Sequence, residues 1–245
     1  MPQPAIEIAV QDLEGVRIAL GEGADRIELC TALGVGGLTP SAALIERAGE
    51  LARDAGRNSF VHVLVRPRAG GFDYSAGELD LIALDVRRAR ALGAGGVVIG
   101  ALDGQQRVNL PGVAGLIAAA DGLDVTFHRA IDVAADAADA VPALADAGVR
   151  RILTSGTAPR AVDGVEVLRH WVEAAGDRIE VMAGGGIDDG QIPAIAAAGV
   201  EAVHLSARHT VTGAASGPGG GHPEYETTDA AAVRRAVAAV RALSS

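Results

Sequence analysis

Glutamate, histidine and arginine interrupt apolar runs along this chain, mostly near the ends of those runs. Glu7 breaks IEIAV. Glu28 and Cys30 stand two apart in DRIELC and so share one face of an extended strand. Arg66 closes FVHVLVRP. Thr126 and His128 share a face of DVTFHRA, with Arg129 and Asp132 just beyond. Thr154 and Ser155 close RILTS, and Gly184, Gly185 and Gly186 close the run at 179–186. His204 and Ser206 share a face of VHLSAR, which ends on Arg208. Polar groups inside apolar strands are costly unless they are paired or used. Carboxylates beside imidazoles suit general acid–base chemistry. Guanidiniums and close-packed glycine amides suit an anion. Glu7, Glu28, Arg66, His128, Arg129 and His204 are therefore the catalytic candidates. Asp132, Ser155, Gly184, Gly185, Gly186, Ser206 and Arg208 are the ligand-binding candidates. Structural ion pairing is the competing account, with Asp25 and Arg26 expected as a rim pair.

These residues need elements to bring them together. Eight apolar β-branched runs occur at 5–10, 25–30, 60–67, 96–102, 123–130, 151–156, 179–186 and 202–208. Each ends in a polar or glycine-rich tip and is followed by an alanine-rich stretch. Strands alternating with helices at this spacing predict βαβ units and a parallel sheet. Eight of them in this length predict a TIM-like (β/α)₈ barrel as a single domain over 1–245. Chemistry in that fold sits on the loops leaving the C-terminal ends of the strands, which is where the candidates fall. The loops after strands seven and eight often hold a phosphate there, and here they read AGGGI and SAR. Helices are expected over 41–55, 76–92, 141–147 and 191–198, each followed by a glycine that can close it. Thr39-Pro40 reads as an N-cap with proline at the first helical position. A last helix is expected over 229–243. The glycine-rich segment at 209–228 is expected as a long loop on the active face. An open dinucleotide-binding sheet is discounted, because the glycines of GAGGVVIG at 93–100 precede a strand instead of following one.

Composition narrows the function classes. Acidic residues number 31 against 21 basic, a net charge of −10, which argues against a nucleic-acid partner. No apolar run reaches the roughly 18 residues of a membrane helix. The opening MPQPAIEIAV lacks a basic region followed by an apolar core, so no signal peptide is expected. One cysteine excludes an internal disulfide and fits a reducing cytoplasm. His62 is expected as a satisfied barrel residue and His170 as outer surface. His209 and His222 fall in the glycine-rich loop. Met182 is expected to pack against the helices. Trp171 is expected as an exposed anchor for a homodimer or homotetramer.

Five blocks then carry a resemblance. GADRIELCTALGVGGLTPS at 23–41, VRPRAGGFDYS at 65–75, VTFHRAID at 125–132, RILTSG at 151–156 and VMAGGGI at 181–187 resemble the copper homeostasis protein CutC family, in order from Glu7 to Arg208. The resemblance implies a TIM-like barrel, a cytosolic setting, and copper as the associated metal, with Cu(I) binding proposed for some members. Cys30 matches the family's ELC cysteine and is the implied metal ligand. Cu(I) prefers thiolate and thioether ligands. Many relatives carry a further cysteine on the first strand, where this chain has Ala9. The family's segment with Met and Tyr after strand eight is replaced here by the glycine-rich loop. Three functions remain open at this point: a copper-binding homeostasis protein, a barrel enzyme of isomerase or lyase type acting on a small anionic metabolite, and a non-catalytic binding protein.

Overall fold

Short Val- and Ile-rich segments separated by capped helices assemble into a closed barrel. The computed structural model describes residues 3–214, 217–218 and 223–243. The barrel strands are β1 (Ala5–Val10), β2 (Arg26–Leu29), β3 (Val61–Leu64), β4 (Gly96–Ile99), β5 (Asp124–Phe127), β6 (Arg151–Thr154), β7 (Glu180–Gly184) and β8 (Ala202–Leu205). Each pairs with its neighbours in parallel, and β1 pairs with β8 to close the ring. The helices that follow them are α1 (Leu13–Gly21), α2 (Ala42–Asp54), α3 (Ala76–Ala91), α4 (Leu110–Ala120), α5 (Ala137–Ala147), α6 (Val165–Ala175), α7 (Ile192–Ala196) and α8 (Ala230–Ala242). The expected (β/α)₈ barrel is thus present. No helix among the described residues is long and apolar enough to cross a membrane.

Strand alternation divides the side chains into two populations. Ile6, Ile8, Val10, Ile27, Leu29, Val97 and Ile99 point outward into one continuous core beneath the helices. The inward positions are different. Cys30, Leu64 and Val98 form one small apolar cluster, and Leu153, Met182 and Ala202 form another. Between them the barrel interior is charged. Glu7, Arg26, Glu28, His62, Thr126, His128 and Arg151 are all buried.

Several expectations change. The cap of α2 is Ser41, whose hydroxyl accepts from the Leu44 amide, so the helix begins at Ala42 and not at the Thr39-Pro40 pair. Thr39 is used elsewhere: its hydroxyl bonds both the amide and the carbonyl of Arg66. The segment expected as a loop at 209–228 is a ribbon at its stem. There β9 (Arg208–Thr212) pairs antiparallel with β10 (Glu224–Thr228). Alternation of Thr, Val and Tyr supports that pairing, although the glycines between them obscure it in the sequence. His222 lies outside the described residues.

Met182 faces the barrel interior, not the helices, and its sulfur accepts from Arg26 Nη2 at 3.3 Å. Trp171 is only 3% exposed and packs into the core, so it is no surface anchor. Its neighbours on the amphipathic α6 put the wide ring on the apolar stripe. Arg26 does not pair with Asp25. It turns inward to Glu7 at 2.5 Å, while Asp25 faces outward to Arg241. Adjacent strand residues point to opposite faces, which is why that pair could not form across the rim.

Candidate functional site

The C-terminal ends of the strands surround a cavity of about 250 Å³. Its walls include Glu28, Arg66, His128, Arg129, His204, Ser206, Arg208, Gly185 and Gly186. Nine of the candidates read from the sequence therefore meet in one place. Glu7, Asp132, Ser155, Gly184 and Cys30 do not line it. Leu33, Gly36 and Phe72, contributed by the loops after β2 and β3, do.

On one wall a carboxylate, an imidazole and a second carboxylate stand in line. Glu7 Oε1 lies 2.8 Å from His204 Nδ1, and His204 Nε2 lies 4.0 Å from Glu28 Oε2. The register explains the contact, since β1 and β8 are neighbours with Glu7 opposite His204. Glu7 is fully buried. Burial works to raise its pKa, but Arg26 and His204 outweigh that and hold the carboxyl well below the usual range. Glu28 lacks an arginine. Burial pushes it up to about 7, the Glu7 charge adds to that, and His204 opposes it. Burial works to lower His204, but its hydrogen bond to Glu7 and the charges of Glu28 and Glu7 raise it above the ordinary histidine value. Two carboxylates in one barrel are thereby separated in role: Glu7 stays ionised, and Glu28 exchanges a proton near neutral pH.

Below this wall Arg151 bonds Thr126 Oγ1 at 3.1 Å and Glu180 at 2.6 Å. His62 is buried as expected, but its Nδ1 has no partner among the described residues, and burial brings its pKa down to about 4. Arg151 and Glu180 are not singled out by the sequence, and Arg26 is expected there only at the rim. Arg26 lies two residues before Glu28, so the same alternation that places Glu28 inside would have placed it too.

The cations stand after β3 and β5, on the loops that carry Arg66 and Arg129. The Arg66 guanidinium donates to the carbonyls of Val35 and Gly37, both at 3.0 Å, and Gly70 at 2.7 Å. Its positive charge is thus neutralised by no carboxylate among these partners, and it ties the loops after β2 and β3 together. Its carbon centre sits 5.1 Å from the Phe72 ring centroid. Arg129 donates through Nε to Asp132 and through Nη2 to Ser155 Oγ, each at 2.8 Å. Its Nη1 remains directed at Gly185, where an added Cβ would lie 3.0 Å away. Gly185 and Gly186 have φ of +117° and +62°, values that favour glycine. Neither amide donates to a protein acceptor among the described residues. Asp132 is saturated by Thr154, Ser155, Thr157 and Arg129 and acts by fixing Arg129. Arg208 lines the cavity and pairs with Glu226 of β10.

Cys30 lies under the cavity, fully buried. Its thiol donates to the Val10 carbonyl at 3.6 Å and packs with Leu64, Val98 and Leu33. Burial and the Glu28 charge push its pKa well up, away from the thiolate that binds metals. Met182, the other sulfur among the described residues, is engaged by Arg26. No three His, Cys, Asp or Glu side chains gather as a metal cluster among the described residues.

The CutC family model matches residues 5–209. A CutC family protein of Pasteurella multocida is 41% identical over 204 residues, covering 83% of this chain and 82% of that one. One from Xanthomonas campestris is 39% identical over 240 residues, covering 95% and 97%. Among solved structures, a CutC from Streptococcus agalactiae, named for copper homeostasis, is 31% identical with a TM-score of 0.78. It covers 83% of this chain and 98% of its own.

Proposed function

This chain belongs to the CutC family, and from that membership and its barrel mouth we propose that it binds a small anionic metabolite and moves a proton on it. The reaction is of isomerase or lyase type. The observation that carries the reading is one cavity lined by Glu28 and His204, 4.0 Å apart, together with Arg66 and Arg129. Arg129 Nη1 and the amides of Gly185 and Gly186 hold the anion. Arg66 supplies a fixed positive field and holds the rim. Glu28, backed by His204 and Glu7, takes the proton and returns it. Arg208 and Ser206 complete the side next to the ribbon. The single cysteine fits a reducing compartment, and the reading places the protein in the cytoplasm.

The test is calorimetric titration of the protein with inorganic phosphate and with sulfate, beside the Arg129→Gln variant. Binding in the parent that is lost in the variant supports the reading. A parent that binds neither anion refutes it.

Copper binding is the second reading, favoured by the name that the Streptococcus relative carries. It would rest on Cys30. The residues around that thiol do not fit a Cu(I) ion, because they offer one buried, protonated sulfur among aliphatic side chains. Cu(I) titration of the reduced protein separates the two readings: tight stoichiometric binding that vanishes in Cys30→Ser would favour copper.

A further inference from the structure

His128 is the group the acid–base reading leaves unused. It sits just beyond β5, 5% exposed, with its ring on the cavity wall. The Ala130 amide donates to its Nδ1 at 3.1 Å. That nitrogen must therefore present a lone pair, and in the neutral ring the proton sits on Nε2. Nε2 is buried and has no acceptor among the described residues. A buried donor left unmet carries a desolvation cost that a ligand acceptor would relieve. The ring packs between Gly100 and Phe72. A Cβ on Gly100 would lie 2.3 Å from its Cε1, and the Phe72 ring centroid is 4.8 Å away on tilted geometry. Burial and the neighbouring Arg66 charge both keep the imidazole neutral, with its pKa brought down to about 3. A neutral N–H donor without a partner is what an electrophile for a carbonyl oxygen requires.

A second fact limits how such a carbonyl is activated. The chain contains no lysine; all its basic side chains other than histidine are arginine. A side-chain Schiff base is therefore not available, and polarisation by hydrogen bonding must do the work.

Resting on the anion-and-proton reading above, we propose that the substrate is a small α-hydroxy aldehyde or ketone carrying a phosphate, and that His128 Nε2 is the donor to its carbonyl oxygen. The Glu28 carboxylate removes the proton from the carbon beside the carbonyl. The C–H electron pair becomes the C=C bond, and the carbonyl π pair moves onto the oxygen, which takes the hydrogen bond from Nε2. A proton moves between the two oxygens, and Glu28 returns its proton to the neighbouring carbon. The product is the isomeric carbonyl compound, with no oxidant, reductant or co-reactant.

Two measurements test this on the full chain. Calorimetry compares inorganic phosphate with phosphoglycolohydroxamate, a planar mimic of a phosphorylated enediolate. The expected result is hydroxamate binding at least about 100-fold tighter than phosphate. In His128→Gln that advantage falls to near unity while phosphate affinity holds. Phosphate binding with no hydroxamate advantage, or an advantage untouched by the substitution, overturns the His128 assignment and leaves the anion-site reading standing. Binding of neither overturns both. Should His128→Gln fail to fold, ¹⁵N histidine NMR of the parent decides. A bare Nδ1 and protonated Nε2 held from about pH 5 to about pH 9 are expected. Ordinary titration in that range, or the opposite tautomer, overturns the proposal.

Discussion

Replacing Glu28 by glutamine should stabilise the folded protein, and only at neutral and alkaline pH. Glu28 is 6% exposed and its pKa is raised from 4.5 to about 7 by burial and the Glu7 charge. A carboxyl whose folded pKa is raised holds its proton more tightly in the native state. Its contribution is fully present below the unfolded value and is lost as pH rises through the folded one. The full shift corresponds to about 3.4 kcal/mol, at 1.36 kcal/mol per unit. Of this, about 2.5 kcal/mol falls between about pH 5 and about pH 8.5. Glutamine keeps the shape and cannot ionise, so it escapes the loss. The stability difference between Glu28→Gln and the parent should therefore grow by about that amount across the interval. In a chain of this size it corresponds to about 5–10 °C in Tm. His204, whose raised pKa also makes stability fall with rising pH, shares the transition, so the midpoint belongs to the pair. The assay is thermal unfolding followed by circular dichroism at a series of pH values. A difference that stays constant across the series would show that Glu28 titrates normally and refute the division of roles between the two carboxylates.

Other perturbations probe the remaining walls. Glu7→Gln leaves the buried Arg26 guanidinium without its carboxylate and should cost about 3–5 kcal/mol in urea unfolding. A cost near zero would mean that the charged interior is not held by that pair. Gly185→Ala forces a side chain into φ +117° and to 3.0 Å from Arg129 Nη1, with a strain of about 1–3 kcal/mol. Phosphate affinity and Tm should fall together, and a variant that matches the parent in both would contradict the cradle. Cys30 should react with a thiol reagent only as fast as the protein opens, since the thiol is buried and protonated. Reaction at the rate of a free thiol in native buffer would show that the cysteine is accessible and revive a metal-ligand role.

The barrel was legible because its two signals are repetitive: β-branched strand runs alternating with alanine-rich helices, and glycine at the helix ends. The mouth was legible for the same reason that Glu28 and Cys30, or Thr126 and His128, could be put on one face. Alternation is a local rule. What failed depended on longer range. Met182 lies on the inner face, but nothing near it in sequence says which of two apolar surfaces it meets. Trp171 sits on a helix whose apolar stripe is decided by packing. The partner of Arg26 is 19 residues away on a neighbouring strand. The ribbon of β9 and β10 was hidden by the glycines that join its strands. Membership of the cavity depended on loops as well, since Asp132 and Ser155 turned out to hold Arg129 instead of facing a ligand.

The ribbon also makes the barrel separable into parts. The Asp229 amide donates to the Ala207 carbonyl at 2.8 Å, so the two ends of the segment 208–228 are already joined at its base. Chain entering and leaving at one point can be lengthened, shortened or exchanged at small entropic cost, because closure entropy grows only slowly with loop length. The barrel and α8 meet without it. Among the described residues of the segment, Arg208 nonetheless reaches the mouth. The segment is therefore a cassette held by its stem, where Gln11 donates to the Glu226 carbonyl and the Thr227 hydroxyl donates to Asp12, while its first residue sets one side of the opening. Relatives that exchange this cassette could alter which molecules enter without disturbing the strands that act on them.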